Sequence, residues 1–318
     1  MDLNIMGYDD FKNEVRKSLE EILSADYPGV GIKLELGTKH EINKYVDIII
    51  ASVSSLSAGP TYSLEEMYDL YKKFKNYNKV IEGVVFNLES KIDKMVTDNP
   101  VIVETFDLSD NKSDIIMEVI NTKYNREYLE TVPHREFLDL SIIYRVVLNV
   151  KIDKAVASVI INNNMANRAN LSEEQLFSLA YKNMPMHLPF FVKDMYSVLI
   201  DFGKDMYEIS PETNDDAVMF VFSNKSRVLG ATAILYKDIL DNFACKVDSS
   251  FYIFPSSIDE LVVLLSDDKE EAEELADKVF MINMDCVDSD KRLSNNVYYY
   301  DKETKEVSIV FESPMPLI

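Results

Sequence analysis

A chain of 318 residues in which 47% are apolar or aromatic can build a sizeable core, and its 55 acidic against 33 basic side chains leave a formal net charge of −22. That balance excludes wholesale disorder, which needs low hydrophobicity beside high charge, and it disfavours generic nucleic-acid binding or adhesion to an anionic membrane. Two readings of the charge remain: solubility alone, or attraction to a basic partner protein, with mimicry of a nucleic acid as the extreme form.

Only Cys245 and Cys286 could pair, which is no disulfide framework. The opening MDLNIMGYDDFKNEV turns polar within ten residues and carries no secretory core. With no long uncharged apolar run, the expected compartment is the cytoplasm.

In chain order, Tyr8, Phe11, Val15, Leu19, Ile22 and Leu23 recur at helical spacing, and Tyr27-Pro28-Gly29 ends that helix. Val30–Leu36 and Tyr45–Val53 read as a hairpin with GTKHEINK as a long turn. Ser63-Leu-Glu-Glu66 opens a helix as a capping box, and Val80–Val96 continues in helical period. A strand over Val101–Phe106 and a helix from Asp110 to Asn121 are expected next. Phe137–Lys151 reads as one strand, with even positions apolar from Leu138 to Val150 and a return turn at Ile152-Asp153 into Ala155–Ile161. Leu171-Ser-Glu-Glu174 starts a helix to Asn183, Pro185 and Pro189 interrupt, and Val192–Phe202 is helical again. A hairpin over Ala217–Phe222 and Val228–Leu235, a helix over Tyr236–Val247 and a strand over Ser250–Phe254 follow. Lys269–Met281 is a helix and Val297–Phe311 a closing hairpin.

Hairpins punctuated by helices predict an α+β fold of mostly antiparallel sheets with packed amphipathic helices. The expected division is 1–130 and 131–318, with a break near 122–134 that no flexible linker marks, or else one compact unit. SLEEMYDLYKKFKN (63–76) echoes LSEEQLFSLAYKN (171–183), through duplication or through shared helix-start chemistry.

The strings VPHREFLDLSIIYRVVL, LSEEQLFSLAYKN, GATAILY, FPSSIDELVVL and LSNNVYYYD, with the YDDFKNEV helix, carry a resemblance along nearly the whole chain. The chain resembles a family of uncharacterised proteins of Clostridia and related gut Firmicutes. That resemblance implies no activity, cofactor or site, and relatives often carry His at the position of Asp259.

Phosphate loops and nucleophile elbows are absent, and no cofactor is expected. His40, His134 and His187 are too scattered for a local zinc motif. Asp285, Asp288 and Asp290 lack the glycine of a calcium loop, where Leu293 stands, and read as solvated. The first catalytic candidates are His134, Arg135 and Asp139, a base, a cation and a carboxylate within six residues. Their bland reading is a turn capped by His134 and ion pairs of Arg135 with Glu136 or Asp139. The second are Ser256, Ser257 and Glu260, where a serine stands beside carboxylates but Ser257-Ile-Asp-Glu260 also spells a helix cap. Arg145 interrupts an apolar strand and needs a carboxylate or a route to water.

The leading expectation is a protein-binding protein without catalysis. The alternative is a hydrolase joining the His134 cluster to the PSS-x-x-E segment, and a further one is a mobile-element nucleic-acid mimic.

Overall fold

The computed structural model describes residues 5–53, 61–97, 108–148, 158–198, 218–268 and 271–317. The expected strand 101–106 and the turn at 152–153 lie outside them. The fold is α+β, and every strand pair among the described residues is antiparallel. The chain forms two compact units, residues 1–106 and 107–318.

In the first unit, α1 (Tyr8–Asp26) buries Phe11, Val15, Leu19 and Leu23, a stripe at four-residue steps. It packs on a three-stranded sheet, β1 (Ile32–Glu41), β2 (Lys44–Val53) and β3 (Thr61–Ser63), and on α2 (Leu64–Phe74) and α3 (Tyr77–Thr97). The long turn expected over GTKHEINK is instead mostly strand. Only Ile42 and Asn43 turn, and Asn43 takes φ 63°, a left-handed backbone that asparagine tolerates. Ser63 caps α2 by accepting from the Glu66 amide at 3.2 Å.

The second unit holds two sheets. The four-stranded one orders β4 (Ile115–Asn121), β6 (Leu140–Val147) and β5 (His134–Phe137), with β7 (Ser158–Ile160) on β6. The helix expected over 110–121 is β4, and all seven of its residues are buried. Ile-Ile-Met-Glu-Val-Ile-Asn is apolar on both faces, which suits a strand covered on both sides and gives no helical stripe. The expected single strand 137–151 is a hairpin. Its even positions Leu140, Ile142, Tyr144 and Val146 are buried, but so are Ser141 and Ile143, and Leu138 is 41% exposed at φ 55° in the turn. The stretch 122–134, with α4 (Arg126–Leu129), links β4 to β5 inside this sheet.

A leucine held left-handed costs about 1–2 kcal/mol, a conformation glycine and asparagine enter more readily. Leu138→Asn is therefore expected to raise the melting temperature by about 2–4 °C. Calorimetry checks it, and a lower melting temperature would mean that the Leu138 side chain outweighs its backbone.

After α5 (Asn163–Arg168), α6 (Glu173–His187) starts at a full capping box of Ser172 with Gln175. Pro185 lies within α6 instead of interrupting it, and the Leu188 amide still reaches Met184 O at 2.8 Å. Asn183 pins α6 to β4 by donating to Ile115 O at 3.1 Å. The next segment is strand, β8 (Phe190–Asp194), with helix only from residue 195.

The six-stranded sheet runs β13-β12-β10-β11-β9-β8, with β9 (Met219–Asn224), β10 (Phe251–Ser257), β11 (Glu260–Leu265), β12 (Val297–Asp301) and β13 (Glu306–Phe311). The strand expected to return over 228–235 is a 3-10 helix at Gly230–Leu235, buried from Gly230 to Ile234. Period-two alternation puts Phe251 and Tyr300 on the face of α7 (Lys237–Val247), where Phe243 packs against Phe251. The opposite face gives Tyr252 and Tyr299 to α8 (Ala272–Cys286). Among the described residues, no helix is long and apolar enough to cross a membrane.

Candidate functional site

Strand geometry disperses the His134 cluster. His134 lies exposed, with Nδ1 at 3.1 Å from Val132 O. Arg135 points to α6 and grips Glu173 with two bonds, Nε to Oε1 at 3.0 Å and Nη2 to Oε2 at 2.9 Å. The ion pair expected with Glu136 or Asp139 is thus made with a residue 38 positions away. Tyr144 also donates to Glu173, and the Arg135 guanidinium stands 4.2 Å from the Phe177 ring centre.

Ser256 and Ser257 are buried on β10. The helix cap expected at Ser257 is a hairpin turn: Ile258 and Asp259 turn, and Glu260 opens β11. The Ser257 hydroxyl accepts the Asp259 amide at 3.1 Å, which stabilises that turn. Asp259 is itself committed, to the Leu229 amide at 3.0 Å and the Lys291 ammonium at 2.7 Å. Burial raises the Glu260 carboxyl above its ordinary range, and Arg227 offsets part of that.

Asp139 is placed differently. The 138–139 turn carries it to the segment 291–296, which runs beside the PSS part of β10. There Leu293 N reaches Ser256 O at 3.2 Å and Ser294 N reaches Pro255 O at 2.8 Å. The Asp139 carboxylate accepts from Ser294 Oγ at 2.7 Å, from Asn296 Nδ2 at 2.9 Å and from the Tyr298 hydroxyl. Burial, then the Asp139 charge, holds the Tyr298 phenol well above its ordinary value. So Asp139 and the PSS segment flank one loop, while the hydrogen bonds of His134, Ser256 and Ser257 join none of them to another.

Around Asp139 opens a pocket of about 240 Å³. Asn121, Tyr124, Asn295, Asn296, Ser313 and Leu317 line it, with Lys123 and Glu312 also on its wall. Its amide side chains are braced by the elements around them. Asn121 accepts the Tyr124 amide at 3.1 Å and donates to Leu293 O at 3.0 Å. Asn283 of α8 donates to Asn295 Oδ1 at 2.8 Å. Arg292 caps α8, with Nε at 3.0 Å from both Asn283 O and Val287 O, and sends Nη1 to Leu317 O at 3.3 Å. The Ser294 hydroxyl donates to the Asp139 carboxylate, a weak activator for a serine, and accepts the Asn296 amide at 3.0 Å. Among the described residues, no three His, Cys, Asp or Glu side chains gather to hold a metal ion.

Of the candidates read from sequence, only Asp139 lines this pocket. Tyr124, Arg292 and the Ser294-Asn295-Asn296 run were missed. Only the last had a signal, a cluster of short amide and hydroxyl side chains before the tyrosine run in LSNNVYYYD.

With the Tyr298 phenol raised, the folded state delays its ionisation. The stability it contributes is complete below the unfolded phenol value of about 10 and is lost as pH climbs beyond it. Alkaline unfolding is therefore expected to steepen above about pH 10, and Tyr298→Phe to remove close to one proton from that slope. Denaturant melts at successive pH values check this, and an unchanged slope would contradict it.

Residues 8–302 match the model of the Family of unknown function (DUF5688), and the chain belongs to that family. No curated protein and no solved structure matches it.

Proposed function

We propose that the protein acts by binding another polypeptide, without catalysis, and that the Asp139 pocket is where an extended segment is held. One observation carries this: residues 313–317 run along the pocket as one of its walls, with their main chain bonded to its side chains. Reading a backbone through fixed donors and acceptors is how peptide-binding proteins combine affinity with tolerance of sequence. The charge of −22 favours a basic partner, whose association would weaken with salt. The hydrolase alternative needs a base beside a serine, and the His134 ring instead bonds Val132 O.

The test is a photo-crosslinking amino acid placed at Lys123 on the pocket wall in native cells, with Lys246 on α7 as the control. A discrete protein captured at position 123 and not at 246, less so in high salt, is expected. Identical captures at both positions would contradict the reading, as would hydrolysis of model esters or peptides that His134→Ala abolishes.

A further inference from the structure

We infer that the side chains which hold residues 313–317 along the wall of the Asp139 pocket also take, in trans, an extended, proline-flanked segment with a buried leucine, and that residues 313–317 are a resident copy which a partner's segment must displace. The inference rests on the binding reading above and names the partner chemistry and its control.

All three main-chain amides of Ser-Pro-Met-Pro-Leu donate, and its last two carbonyls accept. Ser313 N donates to Asn296 Oδ1 at 2.9 Å, Met315 N to Ser313 Oγ at 3.3 Å and Leu317 N to the Tyr124 hydroxyl at 2.9 Å. Pro314 and Pro316 have no amide hydrogen to satisfy. Asn295 Nδ2 donates to Pro316 O at 2.9 Å, and Arg292 Nη1 to Leu317 O at 3.3 Å. A segment with a proline at every second position loses little freedom on binding, because its backbone is already restricted.

Side-chain burial is uneven. Leu317 is 2% exposed, whereas Met315 is 43% exposed. The site thus selects for a leucine at one place and reads backbone elsewhere.

The cradle does not depend on its occupant. Asn295 is held by Asn283, Asn296 by Asp139, and Arg292 by the last carbonyls of α8. Those supports come from elements outside 313–317, so the donors and acceptors stay aimed when the segment leaves. Preformed groups of this kind make a site for a ligand supplied in trans. Tethering gives the resident segment an effective concentration on the order of millimolar, enough to mask the site from weak competitors.

The test uses the full chain and a capped peptide of residues 312–318, Glu-Ser-Pro-Met-Pro-Leu-Ile, followed by fluorescence anisotropy. Leu317→Asp removes the resident anchor and is expected to bind the peptide at least about ten-fold tighter than the wild type. Adding Tyr124→Phe and Asn295→Ala to it should weaken binding about ten-fold, and a peptide with aspartate in place of its leucine should not bind. Should the aspartate variant fail to fold, Leu317→Ala carries the same expectation. A folded Leu317 variant that ignores the peptide would overturn the inference, as would equal affinity in variant and wild type. Partner capture at Lys123 without peptide binding would overturn this inference alone. Peptide binding without capture would support it while counting against the cellular partner.

Discussion

Glu118→Ala is expected to cost about 3–5 kcal/mol, the usual loss when one member of a buried ion pair is removed and the other stays. Glu118 is 2% exposed on β4, and its carboxylate accepts from Arg145 Nη1 at 2.7 Å. Burial raises its carboxyl above the ordinary range, and the adjacent Arg145 charge offsets part of that rise. Without Glu118, Arg145 keeps Ser158, whose hydroxyl it reaches at 2.9 Å, and no counter-charge in that contact. Replacing both, Glu118→Met with Arg145→Met, is expected to be neutral or stabilising by about 1–4 kcal/mol, since no charge is then left buried. Urea denaturation of the single and double variants measures the difference. A single variant as stable as the wild type would remove the pair from the account of this sheet.

Gly230→Ala is the second large effect. An added Cβ would stand 2.3 Å from Asp259 O, 2.4 Å from Ser223 Oγ and 2.8 Å from Ser223 Cα. Two of these neighbours are backbone, so no rotamer change relieves the contact. The strain is expected to cost about 3 kcal/mol or more. It also breaks the Ser223 bond to Asp259 O at 2.7 Å, which ties β9 to the 258–259 turn. Low soluble yield and a melting temperature about 6–12 °C lower are the expected results. Wild-type stability would mean that the 3-10 helix can move away from β9.

Local chemistry made part of this fold legible. Ser63 and Ser172 announced their helices, and both accept the amide three residues on, at 3.2 and 3.3 Å. The echo between 63–76 and 171–183 includes that shared start. The 297–311 hairpin was legible from two strand-like runs around the polar stretch Asp301–Glu306, and the buried even positions of β6 from period-two alternation. What failed did so where tertiary burial overrode pattern. The apolar run of β4 carries no period, since both of its faces are covered. GATAIL reads as a strand until Gly230 is seen to need the space of a Cβ. The site was the least legible part. Asp139 belongs to Ser294 and Asn296, 155 and 157 residues away, and no local spacing announces such partners.

The most direct test of the pocket's role is native-state amide hydrogen exchange by NMR at Ser313 and Leu317. Both amides are predicted to be protected in the wild type. In Tyr124→Phe, Leu317 should lose its protection while Ser313, bonded to Asn296 Oδ1 at 2.9 Å, keeps it. Exchange of both amides at the rate of free chain in the wild type would contradict the claim that this pocket holds an extended segment by its backbone.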